Sequence, residues 1–204
     1  MKFNSGIILL SAIFIIVGCS KTSSVYEQKI LAEREEKNLN LKLGGPASPI
    51  PKELRTDFKG LKYFDVDSTF RVMAIFEKLQ QPDSIMMATS KGEIRKGFKV
   101  ANASFTIHDT NLSLPVYVIQ NGRGILDSSS YFIPFTDLTT GKESYNNGRY
   151  LDIHGPFTDG QSFLLDFNVA YNPYCNYSDA YSCPIPPKES FINYAITAGE
   201  KNFH

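Results

Sequence analysis

A chain of 204 residues with 21 basic and 21 acidic side chains offers no electrostatic footprint for DNA or RNA, so nucleic-acid partners are excluded first. About 185 residues remain once an N-terminal targeting segment is set aside, enough for one good core and too few for a second full domain. Fifteen Phe and eleven Tyr without a Trp, together with frequent Gly, Pro and Asn, suit short strands joined by turns.

Lys2 supplies a basic start and residues 6–17 an apolar run of a dozen positions. That is signal-peptide length, short of the roughly 20 residues a helix needs to span a bilayer. The run ends at Gly18-Cys19, which resembles a bacterial lipobox. Residues 1–18 are therefore expected to be a cleaved lipoprotein signal peptide, with Cys19 lipidated as the new N-terminus. At about 0.8 kcal/mol per buried acyl CH₂, two or three chains would hold the protein on a membrane durably. The expected location is the bacterial cell envelope, and Ser20 rather than Asp after the cysteine favours an outer membrane, facing the periplasm, where the cell has two.

Residues 19–24 read as a lipidated tether, and residues 25–51 as a helix and linker. The helix over 26–43 has Ile30, Leu31, Leu39 and Leu43 as apolar positions and a mostly solvated charged face. Gly44-Gly45-Pro46 stops it. The remaining 52–204 form the globular part. From Phe58 onward the pattern changes to alternation and to short β-branched or aromatic runs. Strands are expected over 70–76, 85–88, 98–107, 112–120, 131–135, 144–153, 163–170 and 191–198. Hairpin turns are expected at 90–93, 108–111, 139–142 and 155–160. The fold class is thus mainly β: a single antiparallel barrel or sandwich of about eight strands after an N-terminal helix.

Three cysteines become two once Cys19 carries lipid, leaving Cys175 and Cys183, eight positions apart. In an oxidising envelope the pair is expected to close as a disulfide, with a chain-entropy gain of roughly 2.5 kcal/mol. Zinc would need two further ligands and no second Cys pair exists, so no metal and no cofactor is expected.

Two stretches place many polar groups on strands that otherwise build core. One runs from Phe132-Ile133-Pro134-Phe135-Thr136-Asp137 through Gly148-Arg149-Tyr150-Leu151-Asp152. The other runs from Asp166-Phe167-Asn168 through Asn172-Pro173-Tyr174-Cys175 to Cys183-Pro184-Ile185-Pro186-Pro187. These segments, with Phe58-Lys59-Gly60-Leu61-Lys62-Tyr63-Phe64 and Ala198-Gly199-Glu200-Lys201, resemble the domain of unknown function 1684 family across nearly all of the mature chain. The resemblance implies a common fold and imports no reaction.

Asp166 and Asn168 lie two apart on an expected strand and share a face, and Arg149 and Asp137 could join them from neighbouring strands. Asp137, Arg149, Asp152, Asp166, Asn168 and Asn172 are accordingly the candidate ligand-binding residues, in an aromatic-lined cavity suited to a small molecule or envelope component. The same residues also fit a buried Arg–Asp network with Asn172 organising the turn before Pro173, and either reading requires a carboxylate partner for Arg149. Tyr171, Tyr174, Tyr177 and Tyr181 either pack the cysteine loop or stack on a ligand.

Catalytic residues cannot be named. His108 sits in a turn, His154 ends a strand and His204 is terminal, with no nucleophile elbow nearby. Asp65-Val66-Asp67-Ser68 lacks the glycine and distal glutamate of a calcium loop and reads as a turn. A non-catalytic binder is the leading expectation. The alternatives are an envelope hydrolase, using a carboxylate base with Arg149 holding an anion, and an assembly partner using the helix.

Overall fold

The structure is a computed structural model that describes residues 24–45, 48–120 and 130–204. The expected signal peptide, Cys19 and most of the tether lie outside the described residues.

Helix α1 (Val25–Leu43) starts where Ser24 Oγ accepts the Glu27 N–H and stops at Gly44 in the left-handed region, the two cap chemistries its flanking sequence supplies. Six strands follow: β1 (Arg71–Ala88), β2 (Ile94–Ile107), β3 (Thr110–Ile119), β4 (Ser130–Phe135), β5 (Arg149–His154) and β6 (Gln161–Asp166). They form one antiparallel sheet in the order β5-β4-β3-β2-β1-β6. The mainly β expectation holds, with fewer strands than the eight anticipated. The sheet is curled into a half-barrel, since Tyr131 on β4 packs on Phe76 of β1 with ring centroids 5.4 Å apart although β3 and β2 separate those strands in the sheet. Phe157 closes the same cluster against Phe76 and Phe163. Alternate residues fill the concave face, among them Ala74, Phe105, Leu114, Val116, Ile133, Phe135, Leu151 and Leu165.

Four differences from the expected strands have local causes. The segments expected over 70–76 and 85–88 fall, apart from Phe70 in the preceding 3₁₀ turn, in the single strand β1, whose register against β2 shifts between Lys78 and Asp83 around Pro82, a residue without an N–H to donate. The strand expected from 144 begins only at Arg149, because Gly148 turns the chain with φ +81 and approaches the Phe135 carbonyl where a Cβ would clash. Asn168 is not on a strand: β6 ends at Asp166 and a single 3₁₀ turn, Phe167–Val169, follows. Residues 191–198 form no strand either. Their backbone groups serve Thr136, Leu138 and the buried Arg149 instead of a ladder.

The turns expected at 90–93 and 108–111 join paired strands, the second tightened to 108–109 because Thr110 and Asn111 already pair in β3. The 139–142 turn exists but sits inside the long β4–β5 connection, and 155–160 runs between strands at opposite edges of the sheet. The segment 167–204 then wraps back. It caps the edge of β5 through reciprocal Tyr150–Tyr171 backbone bonds and meets the β1–β2 turn through Thr89–Pro184.

α1 does not stand apart on a solvated face. Of its expected apolar positions only Ile30 is buried, while Leu31, Leu39 and Leu43 are exposed and Leu41 is buried instead. The helix is held chiefly by polar contacts, described below.

Candidate functional site

The six candidate residues fall into separate environments. Arg149 and Asp137 are buried, at 1 % and 3 % exposure, with Arg149 Nη2 3.2 Å from Asp137 Oδ2. The same guanidinium donates to the carbonyls of Ile196 (2.8 Å), Ala198 and Glu200 (3.3 Å). Asp137 accepts in addition from the hydroxyls of Thr139 and Thr140 and from the Ile196 N–H at 2.7 Å. Burial pushes the guanidinium pKa down, and the carboxylates of Asp137 and Glu200 oppose that shift. Arg149 has the carboxylate partner it requires, and its donors pin the C-terminal segment against the core.

Asp166 and Asn168 lie elsewhere, because β6 and β5 occupy opposite edges of the sheet; the expected convergence of Arg149 with these two residues is corrected by the strand order. Asp166 accepts the Tyr26 hydroxyl (2.8 and 2.9 Å) and the Asn168 N–H (2.9 Å), and Arg71 lies 3.8 Å away. Burial and the Asp166 carboxylate raise the Tyr26 pKa above the ordinary tyrosine value. The Asn168 amide bonds both backbone groups of Asp67, at 2.8 and 2.9 Å, and Asp67 itself caps the turn at Thr69, as a turn reading of that segment requires. Asn168 also borders a pocket of about 120 Å³ under α1, beside Arg34 and Tyr63.

Asn172 belongs to a third cluster centred on Glu200, a buried carboxylate that sequence reasoning passed over. Glu200 accepts from Lys37 of α1 (2.6 Å), from the Asn172 N–H (2.9 Å) and from the Tyr177 hydroxyl. The Asn172 side chain donates to the Lys201 carbonyl at 2.7 Å. Together with Tyr26 on Asp166, Arg34 on the carbonyls of Phe64 and Asn168, and Asn38 on the Leu61 N–H, Lys37 fixes the helix to the sheet.

Asp152 alone of the six opens onto a large cavity. β5 alternates, so Arg149, Leu151 and Ile153 face the core while Tyr150 and Asp152 face the other way. There they line a cleft of about 680 Å³ together with Phe132 of β4, Tyr171, Tyr174, Lys37 and Cys183. The Tyr171 hydroxyl donates to Asp152 Oδ2 at 2.5 Å, and Tyr150 donates to the Pro184 carbonyl. The rings of Phe132, Tyr150 and Tyr171 meet edge to face, at 4.7 and 5.7 Å between successive centroids. Burial raises both tyrosine pKa values, and the Asp152 carboxylate adds to the shift at Tyr171. The signal for Tyr150 was present in the strand alternation, whereas Tyr171 and Lys37 reach the cleft only through long-range packing. Tyr174 stacks edge-on against Tyr181 (5.2 Å), so Tyr174 both packs the cysteine loop and supplies a cleft wall.

The expected Cys175–Cys183 staple is corrected: both thiols are free. The Cys183 sulfur is engaged as a hydrogen-bond acceptor, taking the Cys175 N–H at 3.2 Å, and the Tyr145 hydroxyl lies 3.6 Å from Cys175 Sγ. Among the described residues no group of three or more His, Cys, Asp or Glu could hold a metal ion.

The fold and cleft define a class: a mainly β half-barrel whose N-terminal helix and C-terminal segment build an aromatic cleft at one sheet edge. The chain belongs to the family described as Protein of unknown function (DUF1684), which matches residues 56–201. Among solved structures, it is similar to the solution NMR structure of an uncharacterized protein from Haloarcula marismortui. The two are 38 % identical with a TM-score of 0.65, over 86 % of this chain and 94 % of that one. No curated protein matches the sequence.

Proposed function

We propose that this protein is a lipid-anchored cell-envelope protein that binds a small molecule, without turning it over, in the cleft at the β5 edge. The observation that carries the reading is the cleft itself. Its volume of about 680 Å³ lies within the range of small-molecule sites, and Phe132, Tyr150, Tyr171 and Tyr174 wall it around the single carboxylate of Asp152. Apolar walls with a few polar groups give affinity and orientation to a modest organic ligand.

Binding without chemistry is favoured because Arg149, the residue an anion-handling hydrolase would have used, directs its donors at Asp137 and three backbone carbonyls. Asp166, its companion in that scheme, is bonded to Tyr26 and the Asn168 N–H at the far edge of the sheet. An assembly role for α1 is weakened by the contacts that hold the helix to its own domain. Anchoring rests on the sequence of the 6–17 apolar run and Gly18-Cys19. No helix among the described residues is long and apolar enough to cross a membrane.

The test is native mass spectrometry of the full chain extracted from bacterial membranes in mild detergent, beside a Ser130→Trp variant that fills the cleft from its rim. A small molecule released from the wild type and missing from the equally well-folded variant supports binding there. Identical content in both would overturn it. Lipidation is read in the same spectra as diacylglyceryl and acyl mass on Cys19, and an unmodified, uncleaved N-terminus refutes the anchor.

A further inference from the structure

The two free thiols stand beside the cleft, and neither the fold nor the proposed binding function uses them. Cys175 is half-buried on the turn Tyr174–Asn176, while Cys183 is buried and lines the cleft wall. Both are held from several sides. The Cys183 N–H bonds Ser90 Oγ at 3.1 Å, its carbonyl accepts the Ser90 N–H at 2.9 Å, and Ser182 Oγ bonds Thr89 Oγ1 at 2.8 Å, so the β1–β2 turn fixes this cysteine in place. Cys175 is brought against it by its own N–H to Cys183 Sγ, and its sulfur lies 3.6 Å from the Tyr145 hydroxyl of the β4–β5 connection.

We propose that Cys175 and Cys183 form a reversible thiol–disulfide exchange site, with Cys175 as the attacking thiol and Cys183 as the resolving one, taking a disulfide as its co-reactant. Three structural features assign the roles. Cys175 is the less buried residue of the pair, the Tyr145 hydroxyl lies 3.6 Å from its sulfur where it can donate to a thiolate, and its partner is held immediately adjacent. The Cys183 thiol, followed by the Tyr145 hydroxyl, holds Cys175 down to about 6 against the opposing effect of burial, and Cys183 is raised in turn as the donor of the pair. Exchange is then a balanced two-step transfer. The Cys175 thiolate forms a bond to one sulfur of the external disulfide and expels the other as a thiolate, which takes up the proton Cys175 had released. Cys183 next gives its proton to the second departing thiol as it bonds to Cys175 Sγ. One external disulfide is reduced to two thiols and the protein pair is oxidised to a disulfide. The proposal is independent of what occupies the cleft.

The test uses the full chain reduced with dithiothreitol, freed of reductant, and exposed to oxidised glutathione near neutral pH. Alkylation and peptide mapping then follow Cys175 and Cys183 separately from Cys19. The expected result is loss of both alkylatable thiols with a Cys175–Cys183 crosslinked peptide, reversed by dithiothreitol without unfolding. Cys183→Ser is expected to accumulate glutathione on Cys175, whereas Cys175→Ser leaves Cys183 largely unmodified. Two thiols that stay alkylatable in excess oxidised glutathione would overturn the site. Equal modification of the two single variants overturns the assignment of roles, and a crosslink resistant to dithiothreitol in the folded chain overturns its reversibility. Circular dichroism of each variant, with alanine replacements as a second set, separates these outcomes from misfolding.

Discussion

Arg149 and Asp152 stand on one short strand and are used in opposite ways. The guanidinium points into the core and holds a carboxylate and three carbonyls, while the carboxylate points out into the cleft and takes a tyrosine hydroxyl. Their separation is a direct consequence of the two-residue period of a strand, which sends odd and even positions of β5 to opposite faces. The same period read from the sequence would have kept them out of one site. Stability should divide them sharply. Asp137→Ala leaves the Arg149 charge buried without its partner, and a loss of about 3–5 kcal/mol is expected in urea unfolding. Asp152→Asn, at an exposed position, should leave the unfolding free energy within about 0.5 kcal/mol. If Asp152→Asn instead destabilised the fold as much as Asp137→Ala, the cleft carboxylate would be a structural group and not a binding one.

At the scale of elements, the N-terminal helix shows how polar contacts can do what an apolar stripe normally does. Its charged sequence predicts a solvated helix, and most of its leucines are indeed exposed, yet Tyr26, Arg34, Lys37 and Asn38 each reach a defined partner on the sheet or its loops. Lys37 matters most because its partner Glu200 is 1 % exposed. Lys37→Met removes the cation and leaves that carboxylate buried, with an expected cost of about 2–4 kcal/mol, whereas Lys37→Arg keeps the charge and recovers part of it. Urea melts of the two variants, with hydrogen exchange on α1, distinguish undocking of the helix from global loss of structure. The C-terminal segment is a second such element. Gly199 sits at φ +79 with the carbonyls of Phe167 and Ala170 2.7 Å from where a Cβ would lie. Gly199→Ala should therefore cost at least about 1–2 kcal/mol, from the left-handed backbone and from the displaced strap together. A variant as stable as wild type would show that the strap can be remodelled without consequence.

For the molecule as a whole, the tyrosines set the response to alkali. Tyr26, Tyr63, Tyr117, Tyr145, Tyr150, Tyr171 and Tyr177 all have pKa values raised by burial, with neighbouring carboxylates adding to several of them. The folded chain holds these protons where the unfolded chain releases them near the ordinary value of 10.0. The sign follows: stability from these groups is complete below about pH 10 and declines as pH rises from there toward the raised folded-state values. Urea midpoints should fall steeply as pH rises above 10, with the absorbance change of tyrosinate tracking loss of far-ultraviolet ellipticity. Tyrosinate formation complete at pH 10 in a chain that keeps its ellipticity would contradict this burial.

The sequence by itself determined the features that depend on neighbours along the chain. The mainly β class followed from alternation, the stop of α1 from Gly44, the turns at 90–93 and within 108–111 from their residues, and a carboxylate partner for Arg149 from the cost of burying its charge. The tertiary structure alone decided which groups meet. It placed β5 and β6 at opposite edges of a curled sheet, drew the backbone of 196–200 to a buried guanidinium instead of into a strand, and made Glu200 the anchor of a helix more than 150 positions earlier. It also moved the candidate site from the Arg149 cluster to the Tyr171–Asp152 cleft and left Cys175 and Cys183 as adjacent thiols. The reason is physical: caps and turns are satisfied within a few residues, whereas strand order and the partners of buried charges are chosen by contacts that exist only after the chain has closed on itself.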